Sequence, residues 1–460
     1  MYHFSQRRAG VLLHPTSLPS GTLDDAFRWL DFMADAGLSV WQVLPLGIPQ
    51  GGLSPYQCLS AFAVNPTLLK QIAKPSTEEL QTEAFLLFCK NQQHWLDDFT
   101  RFDLLKSDFN HTPWFTWEEK YRFRETAAMD ELSNRRKSEL LEIKWQQFSL
   151  HRYWQSILEY ARERDIHLFG DMRIFVAHDS ADVWAHPERF LLDDEGMPTM
   201  VTGVPPDYFS ELGQRWGNPH YNWEYMQQEN FSWWMDRLHH HFEWFDLVRI
   251  DHFRGLEAVW MIDAEEETAV NGHWEETPGE KLLLVLQQEM GEIPLVAEDL
   301  GIITPEVRAL KQQFGLPGMS IMQFGFDHFD DNPHKPKNIG PDAVAYTGTH
   351  DNDTLLGWYR TLSDEMRLHI NRELEIDSEQ DVTESMIMRA FSSNASLAVI
   401  PLQDFLQLGA EARMNTPGTI ENNWRWSFQW DQLDTELYEQ IHHWVDLCGR
   451  GGENAEVLVS

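Results

Sequence analysis

Short apolar runs that end in a polar or charged residue recur along the chain, and they constrain the fold more than any other feature. The runs do not alternate between apolar and polar positions, which is typical of strands buried on both faces of a parallel sheet. Because stretches with helical periodicity separate the runs, they predict an α/β fold, a (β/α)8 TIM barrel. The eight runs are Gly10–Leu13, Val40–Leu46, His167–Val176, Phe245–His252, Leu295–Leu300, Ser320–Phe324, Ala343–Thr349 and Leu397–Leu402.

The uneven spacing of the runs predicts two additions to the barrel. The gap between the second and third runs is far longer than one helix needs, and segment 70–150 has amphipathic periodicity, so we expect an inserted helical subdomain there. Segment 177–228 is rich in Pro, Gly, Trp and Tyr and predicts a long, lid-like loop over the C-terminal face of the barrel. Residues 1–460 are expected to form one elaborated barrel domain.

The charge of the chain excludes two classes of partner. Asp and Glu number 73 against 36 Lys and Arg, a formal net charge of −37. A chain this negative is repelled by nucleic-acid phosphates and by anionic membrane surfaces. We therefore expect neither nucleic acid nor a membrane as a partner.

The cysteines and the N-terminus bear on the compartment. Cys58, Cys89 and Cys448 lie far apart without a CxxC spacing, which argues against a disulfide framework and a structural zinc site. No signal-peptide pattern opens the sequence, and no segment approaches roughly 18 consecutive apolar residues. These features predict the reducing cytoplasm.

Sequence patterns for metal and nucleotide binding are weak. There is no P-loop, no dinucleotide fingerprint and no HExxH. The run His239–His241 lies in a helical stretch, where three successive side chains point in different directions, so it predicts a solvated face and not a metal site.

Carboxylates follow several of the predicted strands. In a (β/α)8 barrel the active site is built from the C-terminal ends of the strands, so these acids are expected to converge. Clustered charges are costly unless chemistry or a cation uses them. The acids are Asp171 in the third run, Asp251 in the fourth, Glu298 in the fifth, and Asp351 and Asp353 after the seventh.

Two chemistries would use such acids. Cleavage of a glycosidic bond with retention needs two carboxyl groups about 5–5.5 Å apart, which neighbouring strands ending at Asp251 and Glu298 could supply. The alternative is a divalent metal held by strand-end carboxylates, as in enolase-type barrels, or by the pattern Asp351–Asp353, which is similar to a nucleotide-sugar DxD site.

Arg249 favours the glycosidase interpretation. It precedes Asp251 by two positions and so points to the same side of the strand. A guanidinium there favours the ionised carboxylate that a nucleophile requires, whereas a metal site gains nothing from a fixed positive charge. The metal-dependent alternative stays open at this point.

Nine segments together carry a specific resemblance to a known family. In order along almost the whole chain they are similar to the amylomaltases, the 4-α-glucanotransferases of the α-amylase clan. The segments are Gly10–Ser20, Trp41–Gly47, Ser54–Pro66, Gly203–Trp223, Val248–Gly255, Val296–Gly301, Leu316–Met319, Tyr346–Thr354 and Arg413–Thr419.

The resemblance implies a retaining glycosyltransferase of the hexosyltransferase type. It would cleave α-1,4-glucans and maltooligosaccharides and pass the cleaved piece to another sugar, without a metal, nucleotide or flavin cofactor. Asp251 would be the nucleophile and Glu298 the general acid and base. Asp351 would bind the hydroxyls of the reacting sugar and distort its ring.

The same resemblance implies residues that bind substrate. Tyr56 would stack on the reacting sugar, and Phe324 would form a wall for the acceptor. Asp207 and Trp216 would belong to the lid over the glucan chain, where the aromatic segment Tyr208–Trp223 could exclude water and favour transfer over hydrolysis. The expected substrate-binding residues are Tyr56, Arg249, His350, Phe324, Asp207, Trp216 and, from its place near the barrel mouth, His14.

The chain departs from the family pattern in places. Arg173 stands where many members have proline, and the first barrel loop is shortened to the residues that follow Ser20. Neither departure touches the three acids. A simple hydrolase and a non-catalytic glucan-binding protein remain alternatives, although binding alone would not need a nucleophile and an acid.

Overall fold

The computed structural model of the chain describes residues 4–206 and 210–451. The strands are β1 (Arg8–Leu12), β2 (Val40–Gln42), β3 (His167–Met172), β4 (Met200–Val204), β5 (Gln214–Pro219), β6 (Leu247–Ile250), β7 (Ala258–Asp263), β8 (Gly272–Glu276), β9 (Leu295–Ala297), β10 (Gly318–Ile321), β11 (Ala343–Tyr346) and β12 (Leu397–Pro401). The α-helices are α1 (Ala26–Asp35), α2 (Glu83–Asn91), α3 (Gln93–Asp108), α4 (Glu119–Arg122), α5 (Thr126–Arg135), α6 (Lys137–Arg162), α7 (Ala181–Ala185), α8 (Trp223–Gln228), α9 (Ser232–Trp244), α10 (Gly279–Met290), α11 (Pro305–Gln313), α12 (Leu355–Thr361), α13 (Asp364–Leu374), α14 (Asp381–Ser392), α15 (Leu402–Phe405) and α16 (Thr435–Leu447).

Eight parallel strands form the barrel. Their order is β10-β11-β12-β1-β2-β3-β6-β9, and each overlaps one of the eight predicted apolar runs, although β1 and β10 each begin two residues before theirs. The two ends of this order meet, because the N–H of Ala297 on β9 donates to the carbonyl of Pro317, just before β10, at 2.8 Å. The prediction of an α/β fold with a (β/α)8 barrel is therefore confirmed.

The barrel strands are buried on both faces, which explains their continuous apolar sequence. Leu12, Val40, Phe169 and Val399 belong to a cluster inside the barrel. Their neighbours along the strands, such as Val11, belong to the larger core between the strands and the helices. Every position of β1 and β12 is accordingly buried.

Much of the segment between β2 and β3 is helical. Residues 70–150 contain α2 to α5 and the first half of α6. Helix α6 continues from Lys137 to Arg162 without a break and leads into β3, so residue 150 lies inside a helix. No helix in residues 4–206 and 210–451, α6 included, is long and apolar enough to cross a membrane.

The segment 177–228, expected to be a loop, contains regular structure. Helices α7 and α8 and strands β4 and β5 lie in it, and the two strands join β7 and β8 in a second, antiparallel sheet of order β5-β4-β7-β8. Gly203 on β4 allows the close approach of β5, since a Cβ there would lie 2.2 Å from the carbonyl oxygen of Gln214.

Helix α9 corrects the expectation for the histidine run. His239 is exposed, as expected. His240 instead is buried, and its Nε2 lies 2.9 Å from the carbonyl oxygen of Phe62, to which it donates. The prediction of a solvated face is wrong for His240 because α9 packs between β3 and the loop that carries Phe62.

Candidate active site

The alternation of side chains along the barrel strands brings the predicted acids to the mouth. Phe169 on β3, Leu247 on β6 and Val296 on β9 all face the barrel interior. Residues two positions further along a strand point to the same side. At the C-terminal ends these positions are Asp171, Arg249 with Asp251 following it, and Glu298.

Arg249 is held between two carboxylates. In the parallel pairing of β3 and β6 it lies directly opposite Asp171, and its Nη1 donates to both oxygens of that residue at 2.8 and 2.7 Å. Its Nη2 donates to Oδ1 of Asp251 at 2.8 Å. Burial alone would lower the pKa of Arg249, but the charges of Asp171 and Asp251 raise it well above its ordinary value. The guanidinium is thus a fixed cation beside Asp251.

Tyr56 adds a further hydrogen bond to the network of Asp171, Arg249 and Asp251. Its hydroxyl donates to Oδ2 of Asp171 at 2.5 Å, and burial, followed by the charge of Asp171, raises its pKa well above the usual range. The phenol stacks on the ring of His350, with centroids 5.1 Å apart and planes at 16°. Trp424 lies beside both rings, at 5.9 Å from Tyr56 and 5.7 Å from His350. Together they make an aromatic wall at the mouth.

Glu298 has a different environment from Asp251. Its oxygens accept hydrogen bonds from two backbone N–H groups, those of His252 at 2.6 Å and Leu300 at 2.9 Å. Desolvation raises the pKa of Glu298 to about 7; Arg249 opposes that rise and the charge of Asp251 adds to it. At neutral pH a substantial fraction of Glu298 therefore carries a proton, as a general acid requires.

Asp351 lies across the mouth in the loop after β11. Its Oδ1 accepts from Nδ2 of Asn415 at 2.6 Å, and its Oδ2 lies 3.4 Å from Nε2 of His350. Arg413 fixes the backbone, since its Nη2 donates to the carbonyl of Asp351 at 2.7 Å. The carboxylate itself stays partly exposed and is open to a ligand in the mouth.

The other predicted residues occupy varied positions. Trp216 on β5 meets the ring of His252, next to Asp251, edge to face at 4.9 Å. His14 is buried, and burial, with the neighbouring His350, lowers its pKa to about 3. Phe324 follows β10 and is 37% exposed, with its ring against His334 at 5.6 Å. Asp207 lies outside the described residues.

Asn415 and Trp424 are parts of the site that the sequence did not predict, and Asp171 was expected at the mouth but was given no role. Asp171 had a signal, since it is an acid near the end of a predicted strand, but its bond to Arg249 depends on strand pairing. Trp424 lies in a non-helical segment after β12 with φ = +63°, a strained conformation for a bulky residue, often found at functional sites.

The geometry does not favour the metal-dependent alternative. Oδ1 of Asp353 accepts from the N–H of Thr354 at 2.8 Å, at the start of α12, whereas Asp351 contacts Asn415. Within residues 4–206 and 210–451 no group of three or more His, Cys, Asp or Glu side chains is arranged to hold a metal ion.

Fold and mouth together define a class of protein: a (β/α)8 barrel enzyme for glycosidic bonds. One strand-end carboxylate is ion-paired to a guanidinium, and its neighbour has a raised pKa. A pair of carboxyl groups with divergent environments is the arrangement that glycoside cleavage uses.

Comparison with known proteins identifies the family. The family model described as 4-α-glucanotransferase matches residues 12–74 and 67–433. The 4-α-glucanotransferase of Synechocystis is 42% identical, over 97% of this chain and 98% of its own, and that of Thermus thermophilus is 44% identical, over 94% and 96%. The amylomaltase of Streptococcus agalactiae, solved in complex with acarbose, superposes with a TM-score of 0.90 at 30% identity, over 97% of this chain and 100% of its own. The chain belongs to the 4-α-glucanotransferase family, which confirms the resemblance.

Proposed function

We propose that this chain is a retaining 4-α-glucanotransferase whose nucleophile is Asp251 and whose acid and base is Glu298. It cleaves α-1,4-glucans and transfers the glucanyl segment to the 4-hydroxyl of glucose or of a maltooligosaccharide. The contrast between the two strand ends carries the proposal. Arg249 donates to Asp251, whereas burial raises the pKa of Glu298 to about 7.

In the first half-reaction an oxygen of Asp251 attacks the anomeric carbon of the donor glucan. The glycosidic C–O bond breaks as the new ester bond forms, and Glu298 gives its proton to the leaving oxygen. Oδ1 of Asp251 is bound to Arg249, so its other oxygen is the one available for attack. The product is a glucosyl ester and a shortened glucan.

In the second half-reaction the roles reverse. Glu298, now a carboxylate, takes the proton of the acceptor 4-hydroxyl, whose oxygen attacks the anomeric carbon and displaces Asp251. Two inversions at the same carbon give net retention. The raised pKa of Glu298 suits both steps, because it gains and loses a proton easily near neutral pH.

Asp351 binds the hydroxyls of the reacting sugar. Asn415 occupies one of its oxygens, and the remaining lone pairs accept from the sugar. Such hydrogen bonds strengthen as the ring flattens toward the oxocarbenium-like transition state. Tyr56 and His350 form the wall against which the ring rests.

The remaining substrate contacts belong to residues around the mouth. Trp216 lies beside His252 and is proposed to shield the ester from water, so that a sugar acceptor reaches it first. Phe324 is proposed as the wall for the acceptor sugar. His14 and Asp207 are proposed to contact the glucan chain, and Arg249 to orient Asp251.

We place this activity in the cytoplasm. All three cysteines, Cys58, Cys89 and Cys448, are free, as a reducing compartment would keep them. The substrates are neutral sugars, on which the negative charge of the protein has little effect.

The function is tested by incubating the EDTA-treated protein with maltotriose and separating the products. We expect glucose together with a ladder of longer maltooligosaccharides. Asp251→Asn should form none of these, while Asp263→Asn, an exposed acid at the end of β7, should match the wild type. Glucose and maltose without longer products would mean a hydrolase, and activity that returns only with Mg²⁺ would mean the metal-dependent alternative.

A further inference from the structure

Two buried arginines lie together beside the C-terminal end of β3. Arg173 directly follows β3, and Arg237 lies on α9, which packs against that strand. They are only 6% and 1% exposed. We call them the guanidinium pair. They are adjacent, since Nη2 of Arg237 donates to the backbone carbonyl of Arg173.

The guanidinium pair bonds to neutral oxygens. Nη1 of Arg173 donates to the carbonyl of Pro55 at 3.1 Å, and its Nη2 to that of Ser60. Nη1 of Arg237 donates to the carbonyl of Ile174 at 3.0 Å and to the hydroxyl of Tyr221. No carboxylate in the described ranges 4–206 and 210–451 forms an ion pair with either arginine. Arg249, by comparison, has two such partners.

Nearby carboxylates compensate the charge of the guanidinium pair only in part. Asp182 is buried close by and accepts from the N–H of Ala61 at 2.7 Å. Burial raises the pKa of Asp182, and Arg237 and Arg173 oppose that rise. Asp171 also lines the cavity, but both of its oxygens accept from Arg249, which leaves Asp182 beside two guanidinium charges. An uncompensated charge in a protein interior is costly.

The pair lines a small cavity with donors to spare. Its other walls include Asp171, His240, His241 and residues 60–64, and its volume is about 40 Å³. Nε of Arg173 and Nε of Arg237 have no hydrogen-bond partner among the described residues. Buried N–H groups of this kind nearly always have a partner, so a further species is expected beside them.

The histidines add no charge to the cavity. Burial lowers the pKa of His240 to about 3 and that of His241 well below its usual value, the latter with help from Arg237. Nε2 of His240 donates to the carbonyl of Phe62, so its Nδ1 is an acceptor suited to a water. The charge that lacks a counter-ion therefore belongs to the guanidinium pair.

We propose that this cavity binds one small inorganic anion, of the size of a halide, between the side chains of Arg173 and Arg237. Water alone would meet the hydrogen-bonding need but would leave the positive charge uncompensated. The volume of about 40 Å³ admits a few water-sized species, which suits a single halide ion.

The first test is crystallographic and needs no variant. Crystals of the wild-type protein are soaked in sodium bromide, and data are collected at the bromine absorption edge. An anomalous peak within hydrogen-bonding distance of Nε of Arg173 and of Arg237 supports the proposal. Density for water alone at that place, without anomalous signal, overturns it.

The second test measures thermal unfolding at constant ionic strength with chloride or bromide replacing gluconate, which is too large for the cavity. An anion that binds only the folded state should raise the Tm by about 1–3 °C. The rise should vanish in Arg173→Met and persist in Arg162→Met, an exposed arginine on α6. If Arg173→Met fails to fold, the bromide soak still decides. An equal response to halide in all three proteins overturns the proposal.

Discussion

The neighbouring strand ends β6 and β9 each present a carboxyl group to the mouth, and they hold it in opposite ways. At β6 a guanidinium contacts Asp251, and a second carboxylate, Asp171, holds that guanidinium in turn. At β9 the backbone N–H groups of His252 and Leu300 donate to Glu298, and desolvation raises its pKa to about 7. The residue type is similar, so in the proposed mechanism the surroundings decide which group attacks and which carries the proton.

The largest predicted effect comes from removing Glu298, the proposed proton carrier at β9. Glu298→Gln keeps the shape of the side chain but can neither protonate the leaving oxygen nor activate the acceptor. We expect kcat/KM for maltotriose to fall by about 10³-fold, within the range of general acid–base catalysis. Glu306→Gln, an exposed acid on α11, is the matched control. A Glu298→Gln variant within tenfold of the wild type would remove this residue from the mechanism.

A second effect comes from loosening Arg249 at β6. Asp171→Asn removes the charge that fixes the guanidinium, so Arg249 can turn away from Asp251. We expect a fall in kcat of about 10²-fold, typical of a misplaced catalytic group, with a smaller change in KM.

The control for this variant lies at the other end of the barrel. Asp246→Asn also removes a buried carboxylate, which accepts from the N–H of Leu168 and from Arg162, both at 3.0 Å. It should lower the Tm and leave kcat unchanged. If both variants lose stability and keep kcat, the ion pair at β6 is structural.

The pH dependence of activity sharpens the comparison further. In the proposed mechanism only protonated Glu298 can start the reaction, and its pKa is about 7. Above that pH the protonated fraction falls tenfold per unit, so kcat/KM should decline with the same slope. Activity measured after return from pH 9 to pH 6 controls for unfolding. An alkaline limb that begins only above pH 9 would assign the acid role to another group.

Trp216 lies next to the β6 end and should affect the product ratio. Trp216→Ala opens the space beside His252 and admits water to the ester. We expect glucose release by hydrolysis, relative to transfer products from maltotriose, to rise by about threefold, since removing one shielding group is worth less than about 1 kcal/mol. Trp274→Ala, on β8 of the same sheet, is the control. An unchanged ratio would exclude Trp216 from shielding.

The barrel and the antiparallel sheet show what a sequence can predict about this fold. Barrel strands are buried on both faces, so each corresponds to a continuous apolar run in the sequence. Strand β8 is exposed at all five positions, and β4 and β5 lie among turn-forming residues. Such strands owe their formation to tertiary pairing, for example the close approach that Gly203 permits, and they carry no periodic signal.

The same distinction holds for the active site: some of its features could be predicted from the sequence, and others depend on the tertiary structure. Asp251 and Glu298 were predicted because strand ends converge in a barrel, whatever the loops do. The bond between Asp171 and Arg249 depends on the register of β3 and β6. The contact of Asp351 with Asn415 joins segments 64 residues apart, and the raised pKa of Glu298 depends on burial. None of these can be obtained from local sequence.

The smallest predicted effect concerns stability and follows from the same raised pKa. Between the unfolded value of about 4.3 and the folded value of about 7, the folded state holds a proton on Glu298 that the unfolded state has lost. Wild-type stability from this group therefore falls as pH rises through that window and levels off above it. Glu298→Gln lacks this loss, so its Tm relative to wild type should be higher at pH 8 than at pH 5, by about 2 °C.

Glu306→Gln gives the opposite case for that measurement. Hydrogen bonds from its own N–H and from Thr304 lower the pKa of Glu306, so its contribution is present above the unfolded value and is lost only at more acidic pH. Its Tm difference from wild type should therefore be the same at pH 5 and pH 8. If Glu298→Gln behaves in that way too, the carboxyl at β9 is as well solvated as one on the surface, and the contrast between the two strand ends does not hold.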